Sequence, residues 1–162
     1  MKKYIGIFGI LLIVVVMAGC DMGPNTITTT TTTLAPRIIG GSLEVSVYTD
    51  KGEYAPAENI TLYLKFHNIG TATMEFNFAD GQKYDYFVSK NGTEVWKWSH
   101  GKSFIQMLTS FLLVPGSTEV FSVVWDQKDN NDVAAGSGDY SVLGCLVGSS
   151  TEVYGIAGLT IR

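Results

Sequence analysis

The 162-residue chain carries 15 Asp and Glu against 11 Lys and Arg, a formal net charge of −4, with 18 Gly and 2 Cys. That balance argues against a nucleic-acid binder, which rests on clustered Lys and Arg, and the length predicts one folded domain able to bury a core. Charged residues are only 16% and aromatics 12%, which suits a β-rich domain with many turns better than a helical one.

The chain opens with Lys2 and Lys3, an apolar run over residues 5–17, and the step Met17-Ala18-Gly19-Cys20. A positive n-region, a short apolar stretch and a small-residue pair before a cysteine resemble a lipoprotein signal spanning 1–19. Cleavage before Cys20 then follows attachment of a lipid to its sulfur. The alternative is an uncleaved anchor helix, but a membrane span needs roughly 18 or more apolar residues, and this run is shorter. One acyl chain gives marginal, reversible binding, whereas two hold stably at about 0.8 kcal/mol per buried methylene. The expected location is the cell membrane, lipid-anchored, on its extracytoplasmic face. Without 1–19 the chain has 143 residues and, having lost Lys2 and Lys3, a net charge of −6.

Residues 20–40 read as the lipidated cysteine and a linker. Thr26, the unbroken row 28–33 and Pro36 cannot build a core, and such tracts are often O-glycosylated stalks. A bare disordered tether gives the same geometry. Extended at ~3.3 Å per residue, residues 21–36 reach at most about 50 Å.

The folded part is expected over 41–162, where period-two patterning takes over. Ile60, Leu62, Leu64 and Phe66 alternate with Thr61, Tyr63, Lys65 and His67, so one face is apolar and the other mostly wet. Leu43, Val45 and Val47 repeat the pattern, and Met74, Phe76 and Phe78 follow the turn-like Asn68-Ile69-Gly70. Residues 84–89 and 94–98 flank Asn91-Gly92 and predict a hairpin. Strands are also expected at 118–125, 140–147 and 153–161. Residues 102–113 lack clean alternation and read as an irregular crossover or a short helical turn. Seven or eight short strands predict an all-β, immunoglobulin-like antiparallel β-sandwich. Gly138-Asp139-Tyr140 resembles a tyrosine corner. With Cys20 lipidated, Cys145 has no partner, so the sandwich has no disulfide, and its strand-like setting predicts a buried, inert thiol.

Few constellations suggest chemistry. His67 and His100, the only histidines, lack the neighbouring ligands of a zinc site and read as solvated. Residues 126–132 contain Asp126, Asp129 and Asp132 and are the best calcium candidate, but they lack the EF-hand spacing, and a solvated hairpin loop is favoured. Asn59 and Asn91 begin short glycosylation sequons. No nucleophile–base–orienter set is visible, so an enzyme is the least supported reading, and no cofactor or metal is expected. Trp96 and Trp98 project from one strand face beside Tyr84 and Tyr86. They serve either as core or as a platform for a sugar or a protein, with core favoured.

Phe78-Ala-Asp-Gly-Gln-Lys-Tyr84-Asp85, then Val95-Trp96-Lys-Trp98-Ser99, Lys102, Phe104, Leu113-Val-Pro115-Gly116, Trp125 and Gly138-Asp-Tyr140 resemble the BsuPI-type intracellular proteinase inhibitor family over about 43–147. The resemblance implies a small all-β domain that inhibits an intracellular serine protease. An exported lipoprotein cannot meet such a cytoplasmic target. Tyr84, Asp85 and Trp96 match the family pattern, and a buried Tyr–Asp hydrogen bond with Trp packing is expected to explain them. The leading functional reading is a membrane-anchored, non-catalytic binding module resembling a proteinase inhibitor domain. The other is a structural or accessory cell-envelope lipoprotein, with carbohydrate binding through the aromatics as a variant. The expected partners are the membrane, through the lipid on Cys20, and a protease or other envelope protein, but not nucleic acid. Candidate partner-binding residues are Asp80, Gln82, Lys83, Trp96, Trp98 and Lys102. They centre on loops 79–83 and 99–103, since rigid scaffolds tend to present function on loops.

Overall fold

Alternating apolar residues need two facing surfaces to bury them, and the chain supplies two main sheets. The computed structural model describes residues 34–148 and 153–162; the segment 1–19 expected to be a signal, Cys20 and the Thr row lie outside these. Among the described residues eleven strands run in chain order: β1 (Arg37–Ile39), β2 (Leu43–Thr49), β3 (Glu53–Tyr54), β4 (Ile60–Asn68), β5 (Met74–Phe78), β6 (Tyr84–Lys90), β7 (Thr93–Lys97), β8 (Thr109–Leu113), β9 (Thr118–Trp125), β10 (Gly138–Leu146) and β11 (Tyr154–Ile161). One sheet has the order β1-β2-β4-β9, the second β3-β11-β10-β6-β7, and β5 pairs with β8 alone. All pairings are antiparallel except the two-residue contact of β3 with β11.

The fold is the all-β sandwich expected. The inward row Leu43, Val45, Val47, Ile60, Leu62, Leu64 and Phe66 is buried with Tyr86, Val88, Tyr140, Val142, Leu159 and Ile161 of the other sheet. β10 and β11 come so close to β2 that small residues are required. A Cβ at Gly155 would lie 3.0 Å from the Val47 backbone nitrogen, and one at Gly144 would lie 3.0 Å from Val47 Cγ2. The Asn91-Gly92 turn joins β6 to β7, with φ of 51° and 78°, as a two-residue hairpin of this twist requires. Tyr140, near the start of β10, forms a tyrosine corner, its hydroxyl donating to the Gly136 carbonyl.

Three strands exceed the sequence reading. β1 begins at Arg37, ahead of the expected boundary at 41. β3 is two residues long and carries no periodicity. β8 falls inside the stretch expected to be irregular or helical, because Leu112 points outward and breaks the alternation between Phe111 and Leu113. Residues 102–108 do lack regular structure. The β5–β8 pair is fixed by Asn68, whose fully buried side chain donates to the carbonyls of Ala72 and Leu113, both at 2.8 Å.

Cys145 is half-buried rather than fully buried. Burial pushes its thiol up, and the nearby Asp85 carboxylate pushes it further, so the reactive thiolate forms at higher pH than in a free cysteine. At pH 8 its alkylation by iodoacetamide is expected to be about 10-fold slower in the folded protein than in urea, read by mass spectrometry of the peptide containing it. Equal rates would contradict this assignment.

Candidate protein-binding site

The β6–β7 hairpin sets two faces to different uses. Val88 pairs with Trp96, and the Trp98 N–H donates to the Tyr86 carbonyl at 2.9 Å. Tyr84, Tyr86, Trp96 and Trp98 therefore share the inward face, where both tryptophans are half-buried and pack against the core. Tyr84 stacks on Phe121 with ring centroids 4.7 Å apart and meets Trp98 at 4.8 Å. Burial raises the Tyr84 phenol above its ordinary range. Trp98 continues outward to Phe104 at 5.9 Å, and the Lys102 ammonium lies 5.1 Å from its ring centroid. A row of rings thus leads from the core to the surface at the end where residues 99–108 emerge.

The opposite face of the hairpin holds a buried carboxylate. Asp85, only 3% exposed, accepts from the Tyr86 N–H at 2.9 Å, the Ser99 N–H at 3.1 Å and the Ser99 hydroxyl at 2.6 Å. Lys97 stands 3.7 Å away. The tyrosine of the expected pair, Tyr84, is not among these donors. The Tyr86 hydroxyl donates to the Phe121 carbonyl at 2.8 Å, and Asp85 secures the start of the turn at Ser99. Gly101, with φ of 68°, completes that turn, and the Lys102 N–H donates to the Ser99 carbonyl at 3.0 Å.

Loop 79–83 is braced by its own side chains. The Asp80 carboxylate accepts from the Gln82 N–H at 2.8 Å, and the Gln82 amide reaches the Tyr84 carbonyl at 3.3 Å. Asp80, Gln82 and Lys83 are half-buried rather than freely exposed, whereas His100 and Lys102 are exposed. This loop meets residue 105, just beyond the 99–103 turn. The Gly81 N–H donates to the Ile105 carbonyl at 2.9 Å, and the Thr109 hydroxyl donates to the Asp80 carbonyl at 3.1 Å. The sequence offered both loops as candidates but not residues 104–108, which join them. Their signal was an uncharged, apolar run without strand periodicity.

The other candidates resolve into structural roles. Asp129 accepts backbone N–H bonds from Asn131 at 2.7 Å and Val133 at 2.9 Å, which lower its carboxyl pKa. The Lys128 ammonium pairs with Asp126 and Asp132. The loop also lies along β7, where the Asn130 side chain accepts the Lys97 N–H at 3.0 Å and the Asn130 N–H meets the Val95 carbonyl at 3.3 Å. Among the described residues no group of three or more His, Cys, Asp or Glu side chains is placed to hold a metal ion. His67 is half-buried, and Asn59 and Asn91 are exposed.

The family model described as BsuPI, intracellular proteinase inhibitor, matches residues 47–151. The chain belongs to the BsuPI family. The match spans the braced loops, the aromatic row and the Asp85–Ser99 contact, and an inhibitor family is consistent with a non-catalytic domain. A search of curated proteins finds no match. Among solved structures, this BsuPI domain is similar to a β-glucosidase from Erythrobacter marinus (10% identity, TM-score 0.43), covering 83% of this chain and 16% of that one. It is also similar to the CARDB domain of a Pyrococcus furiosus protein (13% identity, TM-score 0.42, 74% of this chain and 94% of that one). The sporulation control protein Spo0M of Bacillus subtilis is a third (14% identity, TM-score 0.44, 75% and 50%). The chain thus spans a small part of the glucosidase, and similarities this distant carry no functional statement.

Proposed function

We propose that the protein is a lipid-anchored, extracytoplasmic and non-catalytic binding module of the proteinase-inhibitor type. The observation that carries the reading is an inhibitor-family domain over 47–151 in a chain that begins with Lys2, Lys3, an apolar run and Gly19-Cys20. The target is then a protease outside the cytoplasm. It is met at the end of the sandwich where loop 79–83 and residues 99–108 converge, with Asp80, Gln82, Lys83 and Lys102 around it. Trp98 supports that end from beneath, through Tyr84 and Phe104, whereas Trp96 packs against Trp125. The full chain in detergent micelles is expected to inhibit at least one member of a panel of extracellular and intracellular serine proteases. Inhibition of none would remove the reading.

The anchor has its own test. Cys20→Ala is expected to abolish lipidation, leaving the protein either released from the membrane fraction or retained as the unprocessed precursor. Detergent-phase partitioning together with intact mass reads the outcome. A variant indistinguishable from wild type in both would exclude Cys20 as the anchor.

A further inference from the structure

Residues 104–108 combine three properties that rarely coincide on a stable surface. The first is apolar exposure at three of the four positions from 105 to 108. Ile105 is 66% exposed, Met107 55% and Leu108 84%, with Gln106 between them. Isolated exposed apolar side chains are ordinary, but a contiguous set on a folded domain marks a contact surface. The second is backbone form. The segment has no helix or strand of its own, and a single inverse γ-type bond, from the Met107 N–H to the Ile105 carbonyl at 3.0 Å, shapes it. Among the described residues neither backbone group of Gln106 has a backbone partner.

The third property is rigid support on both sides. Phe104 rests on Trp98, the Ile105 carbonyl is held by Gly81, and Thr109 enters the ladder of β8 opposite Phe78. The fit at Gly81 is close, since a Cβ there would lie 3.0 Å from Ile105 Cγ1. A segment fixed in its bound form loses little entropy on docking. One that cannot open locally is also a poor substrate for cleavage, because proteolysis acts on opened states.

We propose that residues 104–108 enter the substrate cleft of the target endoprotease and that Leu108 fills its primary specificity pocket. This rests on the inhibitor reading above and names the part of the domain that performs it. The choice of partner follows from charge. Residues 103–118 contain no Asp, Glu, Lys or Arg, so the run suits a protease with an apolar pocket and leaves the carboxylate of a trypsin-type pocket unpaired. Occupancy is non-covalent and the segment stays intact.

The test uses the full chain in detergent micelles against subtilisin, chymotrypsin and trypsin, with Leu108→Arg and Val124→Arg as variants. Both side chains are exposed, so neither change should disturb folding, which circular dichroism checks. Wild type and Val124→Arg are expected to inhibit an apolar-pocket protease equally and to remain uncut on a gel. Leu108→Arg is expected to weaken that inhibition about 100-fold and to gain inhibition of trypsin. Unchanged inhibition by Leu108→Arg would overturn the segment assignment and leave the inhibitor reading standing. Absence of inhibition by wild type would remove both.

Discussion

Trp125→Ala is expected to destabilise the domain by about 3–5 kcal/mol, the range for removing a large buried aromatic side chain. Trp125 is fully buried at the end of β9, with its ring 5.5 Å from Tyr140 and 6.2 Å from Trp96. Its indole N–H donates to the Lys128 carbonyl at 2.7 Å. The substitution therefore opens a cavity, removes two aromatic contacts and strips a hydrogen bond from the loop that follows. Against a total stability of about 5–15 kcal/mol for an ordinary domain, that loss is large. Trp96→Ala should cost less, because Trp96 is only half-buried. Urea unfolding of the two variants measures both, and a loss below about 1.5 kcal/mol for Trp125→Ala would contradict the packing described.

Asp85→Ala is expected to cost about 3 kcal/mol, through hydrogen bonds rather than volume. It removes the acceptor of two backbone N–H groups and of the Ser99 hydroxyl, and buried donors left unpaired cost about 1–3 kcal/mol each. Lys97 should matter little. Its contact with Asp85 is long, at 3.7 Å, and its side chain is well exposed, so the pair contributes less than about 1 kcal/mol. A double-mutant cycle between Asp85 and Ser99 should therefore show stronger coupling than one between Asp85 and Lys97. The reverse order would mean that the ion pair, not the serine, holds the carboxylate. Since Ser99 begins the turn leading to residues 104–108, Asp85→Ala should also loosen that segment, seen as faster amide exchange at Ile105 and Met107.

The strands whose inner and outer faces differ in polarity were legible in the sequence. Residues 60–67 read correctly because each inward position is Ile, Leu or Phe and each outward one is Thr, Tyr, Lys or His. The hairpin at Asn91-Gly92 was equally clear, since few other dipeptides accept two positive φ values. β8 was hidden because an exposed Leu112 makes both its faces look apolar. The role of Asp85 was half legible. Its burial was expected, but its partner is a serine fourteen residues away, and no periodicity announces such a contact. Gln127 gave no signal at all. It sits in a polar loop sequence, yet it is buried and bonded to the backbone of Ala55 and Ala57, both at 2.8 Å. The exposed run at 105–108 was visible as composition but not as surface, because only the fold shows that the described residues leave it open.

The placement of Asn130 along β7 also bears on how copies of the domain meet. A strand at the rim of a sheet offers unpaired N–H and C=O groups to any extended chain nearby, which is the usual start of domain swapping and fibre growth. Here Asn130 occupies the Val95 carbonyl and the Lys97 N–H, and the other rim of that sheet ends in a strand of two residues, Glu53–Tyr54. The β7 rim therefore offers little vacant ladder, whereas Glu53–Tyr54 covers only the last two residues of β11, Thr160 and Ile161. Copies held close together would meet the β7 rim through side chains alone, so that side of the sandwich resists polymerisation by strand exchange.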